Sequence, residues 1–349
     1  MVSFASDYIA GAHPEILKRL SDTNMEALPG YGTDAHCEKA KDLIRRALSM
    51  PDAEVELIAG GTQTNQIVIS TMLRDWEGAL AAGTGHITTH EAGAIEYSGH
   101  KVIPLPQCEG KIKASSVDEY ITSFYADENH EHEVFPGMVY ISYPTEYGTL
   151  YTKDELKELH QVCEKHKIPL YIDGARLAYG LASKACDMTL NEFAHLCDVF
   201  YIGGTKCGAL CGEAVVFTKK NRPEHFMNAV KKRGALLAKG RLLGVQFETL
   251  FAGAEHGGFN DTLYYQIGSH GIGMADKLEK ILRDKGCEFF LETPTNQKFV
   301  IMEDGKLENL RKKIDYGFWE KPDKEHTVIR LATSWSTAEK DLEAIKTAL

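Results

Sequence analysis

Lys206 stands where a lysine can do chemistry, directly after a predicted buried strand. It follows the apolar run 199–202 and the small residues 203–205. An amine held there is poorly solvated, and burial lowers the pKa of an amine, which makes it a nucleophile toward an aldehyde. A surface lysine that simply follows a loop is the alternative, and this feature alone does not decide between the two.

Asp173 ends a second apolar run, 168–172, and Arg176 follows shortly after it. A carboxylate at the end of a buried strand is costly unless it is paired or functional. Sites for pyridoxal 5′-phosphate (PLP) place such a carboxylate against the pyridinium nitrogen, so that the ring acts as an electron sink. Arg176 is within reach of the edge or the phosphate of such a cofactor. A structural Asp–Arg pair that closes the loop is the alternative.

The segment 60–65, Gly-Gly-Thr-Gln-Thr-Asn, joins a predicted strand to a predicted helix. Its glycines permit close backbone approach, and free N–H groups at a helix start attract a phosphate. Gly61, Thr62 and Gln63 are the candidate contacts. The segment fits neither the Walker pattern nor the dinucleotide fingerprint, and small polar loops often precede helices without any such role.

His86 and His90 flank a short run, 86–89, that we predict to be a strand. A histidine in this place could stack on the face of a pyridine ring. A metal site is the alternative, and the histidines and glutamates of the segment 130–133 also resemble one. That segment lies in a charged stretch before Pro136, which is typical of a solvated loop, so we predict no metal site.

The elements that must position these residues form a regular alternation. Amphipathic helical segments separate short β-rich runs, and capping boxes at 116–119, 152–155 and 189–192 predict helix starts. The predicted strands are 55–59, 86–89, 102–105, 138–142, 168–172, 199–202 and 214–217. This order predicts an α/β fold with a mostly parallel sheet between helices, whose ligands lie at the carboxyl ends of the strands. The segments 60–65, 173–176 and 203–206 each follow a strand, so we expect one shared site.

The length of 349 residues favours a large domain with a smaller one beside it. A long helical region is predicted over 226–253, and a glycine-rich stretch follows it. We therefore predict an N-terminal arm and large domain over 1–253. A small C-terminal α+β domain is predicted over 254–349, with a helix at 275–285 and strands at 298–302 and 327–332.

Charge and composition limit the classes of partner that the protein is expected to bind. Acidic residues outnumber basic ones by 50 to 39, a net charge of -11, which argues against nucleic acid or an anionic membrane. There is no apolar stretch long enough to span a bilayer and no visible signal peptide. The eight cysteines are scattered, as reduced thiols of a cytoplasmic protein are.

Taken together, these segments resemble the threonine aldolase / β-eliminating lyase family of aspartate-aminotransferase-like (fold type I) PLP enzymes. The resemblance covers nearly the whole chain. The segments that carry it are Ser6-Asp7, Gly30-Tyr31-Gly32-Thr33-Asp34, Gly61-Thr62-Gln63-Thr64-Asn65, His86 ahead of Glu91, Asp173-Gly174-Ala175-Arg176, Lys206, Gly240-Arg241 and Arg330-Leu331.

The resemblance implies a role for each matching residue. Lys206 would hold PLP as a Schiff base, Asp173 would contact the ring nitrogen, and His86 would stack on the ring. Gly61, Thr62, Gln63 and Arg176 would complete the cofactor site, and Arg241 would reach the phosphate across a dimer interface. Arg330 would clamp the substrate carboxylate, and Ser6, Tyr31 and Arg176 would be further substrate contacts.

One segment departs from the family pattern. Glu146 lies where many threonine aldolases carry a histidine that assists with the substrate hydroxyl, and this version is more similar to the phenylserine-aldolase-like branch. A glutamate acts as a base on a β-hydroxyl only if its pKa and placement suit that role. His90 or a water molecule is the alternative for this role, and the β-substituent of the substrate stays open.

The implied activity is cleavage of the Cα–Cβ bond of a β-hydroxy-α-amino acid of the threonine, allo-threonine or phenylserine type. The products are glycine and an aldehyde, and the enzyme is expected to be a homodimer or homotetramer with its active site at the subunit interface. Another PLP reaction, such as β-elimination, racemisation or transamination, is the alternative, because one fold hosts many chemistries. Two further alternatives are a non-catalytic sensor or scaffold and a zinc hydrolase.

Overall fold

The computed structural model describes the backbone of residues 1–349 and the surroundings of all of them except residue 257. Its strands are β1 (Val2–Ser3), β2 (Glu54–Ile58), β3 (Glu77–Ala82), β4 (Val102–Leu105), β5 (Phe135–Ser142), β6 (Leu170–Asp173), β7 (Val199–Gly203), β8 (Glu213–Phe217), β9 (Glu288–Leu291), β10 (Gln297–Glu303), β11 (Ile314–Asp315), β12 (Gly317–Glu320) and β13 (His326–Ala332). Its α-helices are α1 (Pro14–Asp22), α2 (Ala35–Leu48), α3 (Gly61–Met72), α4 (His86–Thr89), α5 (Ala94–Tyr97), α6 (Ala114–Ala126), α7 (Lys153–His166), α8 (Leu177–Ala182), α9 (Leu190–His195), α10 (Phe226–Lys232), α11 (Arg241–Leu250), α12 (Ala254–Gly257), α13 (Leu263–Asp284), α14 (Asp304–Leu310) and α15 (Glu339–Ala348).

A seven-stranded sheet forms the centre of the molecule, in the order β2-β8-β7-β6-β5-β3-β4. Strand β8 runs antiparallel to both of its neighbours, and the remaining pairs are parallel. Separate apolar clusters pack on its two faces. Burial on both faces explains why the central strands are continuous apolar runs. The prediction of a mostly parallel sheet between helices is confirmed.

The predicted strand at 86–89 is wrong, because these residues form the short helix α4. The strand that fills this place in the sheet is β3, which the sequence analysis missed. Strand β3 reads Glu-Gly-Ala-Leu-Ala-Ala and contains no β-branched or aromatic residue. It forms a strand because it is buried between β4 and β5, and its local β-propensity does not indicate this position in the sheet.

Three helix predictions also need correction. The capping box at 116–119 is wrong, since α6 already starts at Ala114, whereas the boxes at Thr152 and Thr189 are confirmed. The region 226–253 holds two helices, α10 and α11, separated by a turn. Helix α13 begins at Leu263 rather than at 275. Its first half contains glycines, which lower helix propensity but lie against α8 in the fold. A Cβ on Gly268 would lie 2.3 Å from the carbonyl oxygen of Ala178.

A four-stranded antiparallel sheet, β12-β13-β10-β9, forms the C-terminal part of the chain. Its core also takes in Phe4, and β1 pairs with β11, so the N-terminal segment packs against this part. The strands predicted at 298–302 and 327–332 lie within β10 and β13. The domain boundary at residue 253 stays a prediction. Among the described residues, no helix is long and apolar enough to cross a membrane.

Candidate active site

A cleft of about 690 Å³ opens at the carboxyl ends of the central strands, between the large sheet and the C-terminal sheet. Six of the residues predicted from the sequence line it: His86, His90, Glu146, Arg176, Lys206 and Arg330. They come from helix α4 and its C-terminal end, from the loops after β5, β6 and β7, and from strand β13, which the fold brings together. The expectation of one shared site at this edge of the sheet therefore agrees with the geometry.

Lys206 follows β7 through a tight turn. The Tyr179 hydroxyl donates to the Lys206 carbonyl oxygen at 2.8 Å, and the Lys206 Nζ atom lies 5.9 Å from the centre of the Tyr8 ring. Burial and the positive charge of Arg176 lower the pKa of the amine. A larger fraction of neutral amine, the nucleophilic form, follows from this shift.

Asp173 ends β6 and is buried. Its Oδ2 atom accepts hydrogen bonds from the Tyr140 hydroxyl at 2.6 Å and from Asn65 Nδ2 at 3.0 Å, and its Oδ1 accepts one from the Ala175 N–H at 3.0 Å. Burial opposes the charged form, but attraction to His86 and these hydrogen bonds outweigh it and lower the pKa of Asp173. The group is therefore held as a carboxylate.

His86 begins α4 and is fixed through its ring. Its Nδ1 lies 2.8 Å from Glu91 Oε1, and the same oxygen accepts from Asn65 Nδ2 at 2.7 Å. Asn65 therefore links Glu91 to Asp173. The ring of His90 lies 5.7 Å from that of His86, centre to centre. This network holds the imidazole in one orientation beside the cleft.

Glu146 is the residue that departs from the family pattern, and it lines the cleft. Its Oε1 atom accepts from the backbone N–H of His86 at 2.9 Å and from the Ser142 hydroxyl at 2.6 Å. Burial raises the pKa of Glu146 above its usual range. A raised pKa makes a carboxylate a better proton acceptor once it is ionised.

The two arginines of the cleft have different surroundings. Arg176 pairs with buried Asp7 through two hydrogen bonds, Nε to Oδ2 at 2.7 Å and Nη2 to Oδ1 at 3.0 Å. Arg330 lies on β13 and donates to the Ala5 carbonyl oxygen at 3.0 Å and to Gln297 Oε1 at 3.2 Å. A guanidinium has five N–H donors, so Arg330 keeps capacity for a further anion.

The N-terminus of α3 brings the predicted phosphate loop to the same edge of the sheet. The helix begins at Gly61 after the N-cap Gly60, so the N–H groups of Gly61, Thr62 and Gln63 have no intrahelical acceptor. Together, a poorly solvated amine, an ionised buried carboxylate and free helix N–H groups match the aldehyde, the ring nitrogen and the phosphate of PLP. The residues present therefore fit this cofactor.

Seven predicted residues do not line the cleft: Gly61, Thr62, Gln63 and Asp173, which are described above, and Ser6, Tyr31 and Arg241. Arg241 begins α11 and donates to backbone carbonyl oxygens of the segment after α1. Tyr31 is half-exposed, and the Lys231 ammonium lies 4.4 Å from the centre of its ring. Ser6 is buried beside the backbone that Arg330 contacts. Their proposed roles stay predictions.

Sequence reasoning missed several polar partners of the site. Tyr140 and Ser142 on β5 contact Asp173 and Glu146, and their places in the sequence carried no signal of this. Asn65 contacts Asp173 and lay in the segment 60–65 that was singled out, but it received no role of its own. Asp7 lay in the Ser6-Asp7 segment that matched the family, but received no role. Glu213 begins an apolar strand, whereas Asp173 was singled out because it ends one.

Aromatic side chains form one wall of the cleft. Tyr147, Phe318 and Trp319 line it, and the rings of Tyr147 and Trp319 are 5.3 Å apart, edge to face. Phe318 is 62% exposed, which is unusual for a phenylalanine on a strand. The Arg330 guanidinium lies 6.0 Å from the centre of the Trp319 ring. An apolar surface therefore lies directly beside the candidate carboxylate site.

Comparison with known proteins agrees with this geometry. Residues 3–311 match the model of the family described as β-eliminating lyase. The chain belongs to the β-eliminating lyase family. It is 29% identical over 313 residues to a low specificity L-threonine aldolase of a Pseudomonas species, which covers 89% of this chain and 87% of that protein.

Comparison with solved structures shows that the similarity extends to the fold of the whole chain. A threonine aldolase of Leishmania major superposes with a TM-score of 0.94 at 40% identity, over 100% of this chain and 98% of that one. Aspartate aminotransferase of Thermus thermophilus superposes with a TM-score of 0.70 at 12% identity, over 100% of this chain and 90% of that one, which shows a shared fold alone. The chain is thus a PLP-dependent lyase with the fold type I architecture.

Proposed function

We propose that this lyase is an aldolase that cleaves the Cα–Cβ bond of β-hydroxy-α-amino acids to glycine and an aldehyde. The observation that carries the proposal is the meeting of Lys206, Glu146 and Arg330 in one cleft. These residues supply a nucleophilic amine, a proton acceptor and a carboxylate site. A β-hydroxy amino acid presents the three complementary groups.

PLP, when bound, supplies the electron sink that accepts the electron pair released at Cα. Lys206 would hold its aldehyde carbon, Asp173 its ring nitrogen, and the N–H groups at the start of α3 its phosphate. His86 would lie against the ring, fixed by Glu91. Asp173 is suited to this role because it is held ionised inside the protein.

Glu146 would take the proton of the substrate hydroxyl as the Cα–Cβ bond breaks. Its Oε1 atom is occupied by the His86 N–H and the Ser142 hydroxyl, which leaves Oε2 for the substrate. Positioning of this kind matters because a general base acts only within hydrogen-bond reach of its proton. His90, at the C-terminal end of α4, is the alternative acceptor.

Arg330 would bind the substrate carboxylate by a charge-assisted contact. The aromatic wall beside it suits an apolar β-substituent. We therefore propose that the substrate range extends from threonine to amino acids with a β-aryl group.

An aldehyde-release assay tests the proposal. The holoenzyme is incubated with L-threonine, L-allo-threonine and phenylserine, and glycine and aldehyde are measured together. Equal amounts of glycine and aldehyde support the aldolase. Ammonia with a 2-oxo acid would indicate β-elimination, and inverted substrate without cleavage would indicate racemisation, so either result contradicts the proposal.

Assembly and location belong to the same proposal. The half-exposed Tyr31 and the neighbouring Arg241 would meet a second subunit in a homodimer or homotetramer, where Arg241 reaches the partner's cofactor phosphate. We also propose that the enzyme acts in the cytoplasm, and that residues 1–253 and 254–349 form its two domains. Sedimentation of the purified protein tests the first of these points, and a monomer would contradict it.

A further inference from the structure

Glu213 is a buried carboxylate that the proposed reaction does not use. It opens β8, is 4% exposed and pairs with Gly203 across the sheet. Its Oε2 accepts from the Gly204 N–H at 3.0 Å, and its Oε1 accepts from the Thr205 hydroxyl at 2.8 Å. Both oxygens therefore hold the turn that presents Lys206.

The same carboxylate lies against the N-terminus of α3. A Cβ placed on Gly61 would be 3.4 Å from the Tyr201 hydroxyl and 4.0 Å from Glu213 Oε1. A phosphate held by the first N–H groups of α3 would thus bring a second negative charge close to a buried one. Two negative groups repel each other strongly in a poorly solvated place, so one of the two groups gains a proton.

Several titratable groups surround Glu213, and none of them supplies a strong counter-charge. Lys206 faces it from the turn after β7, but the pKa of this amine is itself lowered by burial. Asp173 on β6 adds negative charge. The other neighbours are Tyr171 on β6, Tyr201 on β7, Cys207 and Cys211 in the loop before β8, and Tyr264 on α13, and burial raises the pKa of all five.

Burial raises the pKa of Glu213 to about 8, against the pull of the Thr205 hydroxyl and Lys206. In the free protein this carboxyl is therefore mostly protonated at neutral pH and becomes ionised only above about pH 8. A phosphate at α3 would raise the pKa further.

We propose that Glu213 is a positioning residue that takes up a proton when the phosphate of the cofactor binds at α3, and so turns Thr205 into a phosphate donor. This inference rests on the proposed place of the phosphate, and it is independent of the choice of substrate.

When Glu213 is ionised, as in the free protein above about pH 8, the hydroxyl proton of Thr205 points to Glu213 Oε1. When Oε1 gains a proton from solvent, its new O–H donates to Thr205 Oγ1, and the Thr205 proton is released to donate to a phosphate oxygen. One proton enters and forms an O–H bond on Oε1, one hydrogen bond reverses its direction, and no bond between heavy atoms forms or breaks. Glu213 Oε2 continues to accept from Gly204.

Titration calorimetry on the cofactor-free full-length protein tests this directly. Pyridoxine 5′-phosphate is the probe, because it carries the phosphate but has no aldehyde for Lys206, and unphosphorylated pyridoxine is the control. Measurements in buffers of different ionisation enthalpy give the number of protons bound. Above about pH 8 the wild type should take up close to one more proton with the phosphorylated probe than with the control, and below about pH 6 no extra proton from Glu213.

Variants distinguish the effect of proton uptake from an effect of side-chain packing alone. In Glu213→Gln the amide donates to Thr205 and its oxygen accepts from Gly204, so the neutral state is imitated. We expect this variant to keep its affinity for the phosphorylated probe and to lose the extra proton uptake above about pH 8. Thr205→Val should lower the preference for the phosphorylated probe roughly tenfold, and Thr205→Ser should restore it. Glu56→Gln, another buried carboxylate, is the matched control and should behave as the wild type.

A measurement on the holoenzyme covers the case in which Glu213→Gln does not fold. Infrared spectra of the wild type as a function of pH should retain the C=O band of a protonated carboxylic acid above about pH 8. Absence of that band overturns the proposal, as does equal proton uptake with both probes. These results leave the aldehyde-release assay untouched, so failure here and failure of the proposed function are distinguishable.

Discussion

The backbone N–H of His86 donates to Oε1 of Glu146 at 2.9 Å, which ties the residue predicted to stack on the cofactor ring to the residue predicted to accept the substrate proton. The Ser142 hydroxyl contacts the same oxygen. The glutamate is thus held at one fixed distance from the ring site. A histidine in its place would present a different atom at a different distance.

Replacing Glu146 by Gln should lower kcat about 10²- to 10⁴-fold with little change in KM, because the amide keeps the shape but cannot accept a proton. Thermal unfolding of the variant, with the cofactor bound, is the control for folding. Unchanged kcat in Glu146→Gln, together with a large loss in His90→Asn, would assign the base to His90 instead.

The pH profile of kcat/KM should show the ionisation of the Glu146 carboxyl as an acid limb. Burial raises the pKa of this carboxyl, so the active carboxylate forms only as pH rises through a value above the usual carboxyl range. Activity should therefore fall on the acid side earlier than a solvent-exposed glutamate would predict. Glu146→Gln should lack this acid limb, and a limb that persists unchanged in the variant would contradict the assignment.

Part of this site follows from the sequence because Lys206 and Asp173 each come at the end of an apolar run, and the prediction that they share one site agrees with the fold. Glu213 could not be placed, because its partners depend on which strands are neighbours. Strand β8 lies between β2 and β7 in the sheet, and no local pattern encodes that order.

The strands and helices also differ in whether the local sequence predicts them. Strands such as β6 and β7 are strongly apolar and were predicted, whereas β3 is rich in alanine and was missed. Helix α13 was predicted too short because glycines lower helix propensity. In this helix they serve close packing, since a Cβ on Gly271 would lie 2.5 Å from the Tyr179 ring. Tertiary contacts override local propensity at both places.

Replacing Lys206 by Ala should abolish covalent attachment of the cofactor and lower aldehyde release at least about 10²-fold. Reduction of the wild type with borohydride followed by peptide mass spectrometry should place the cofactor on Lys206. A Lys206→Ala protein that still carries reduced cofactor on another lysine, at full turnover, would contradict the assignment.

The Asp7–Arg176 pair should contribute to stability in a pH-dependent way. Burial opposes the charge of Asp7, but Arg176 outweighs it and lowers the pKa from 3.8 to about 2. A lowered pKa means that the stabilisation is fully present above the unfolded value and is lost as pH falls toward about 2. The pair should contribute about 2 kcal/mol to the free energy of unfolding at neutral pH through this shift.

Urea unfolding of the wild type and of Asp7→Asn measures this contribution. The variant should be less stable by about 3–5 kcal/mol at neutral pH, because it leaves the Arg176 charge buried without its partner. The difference should shrink as the pH is lowered. Asp276→Asn, which removes an exposed ion pair with Lys184, is the control and should change stability by less than about 1 kcal/mol.

The aromatic wall should set the preference among β-substituents. Phe318 lines the cleft although its side chain is largely exposed, so it can be shortened without leaving a cavity in the core. We expect Phe318→Ala to raise KM for phenylserine about tenfold and to change KM for threonine by less than about threefold, since only the aryl group is large enough to lose contact area. Leu210→Ala, at another exposed apolar side chain outside the cleft lining, should leave both values unchanged. An equal rise in KM for both substrates would mean that Phe318 shapes the cleft as a whole, and would refute its role in choosing the β-substituent.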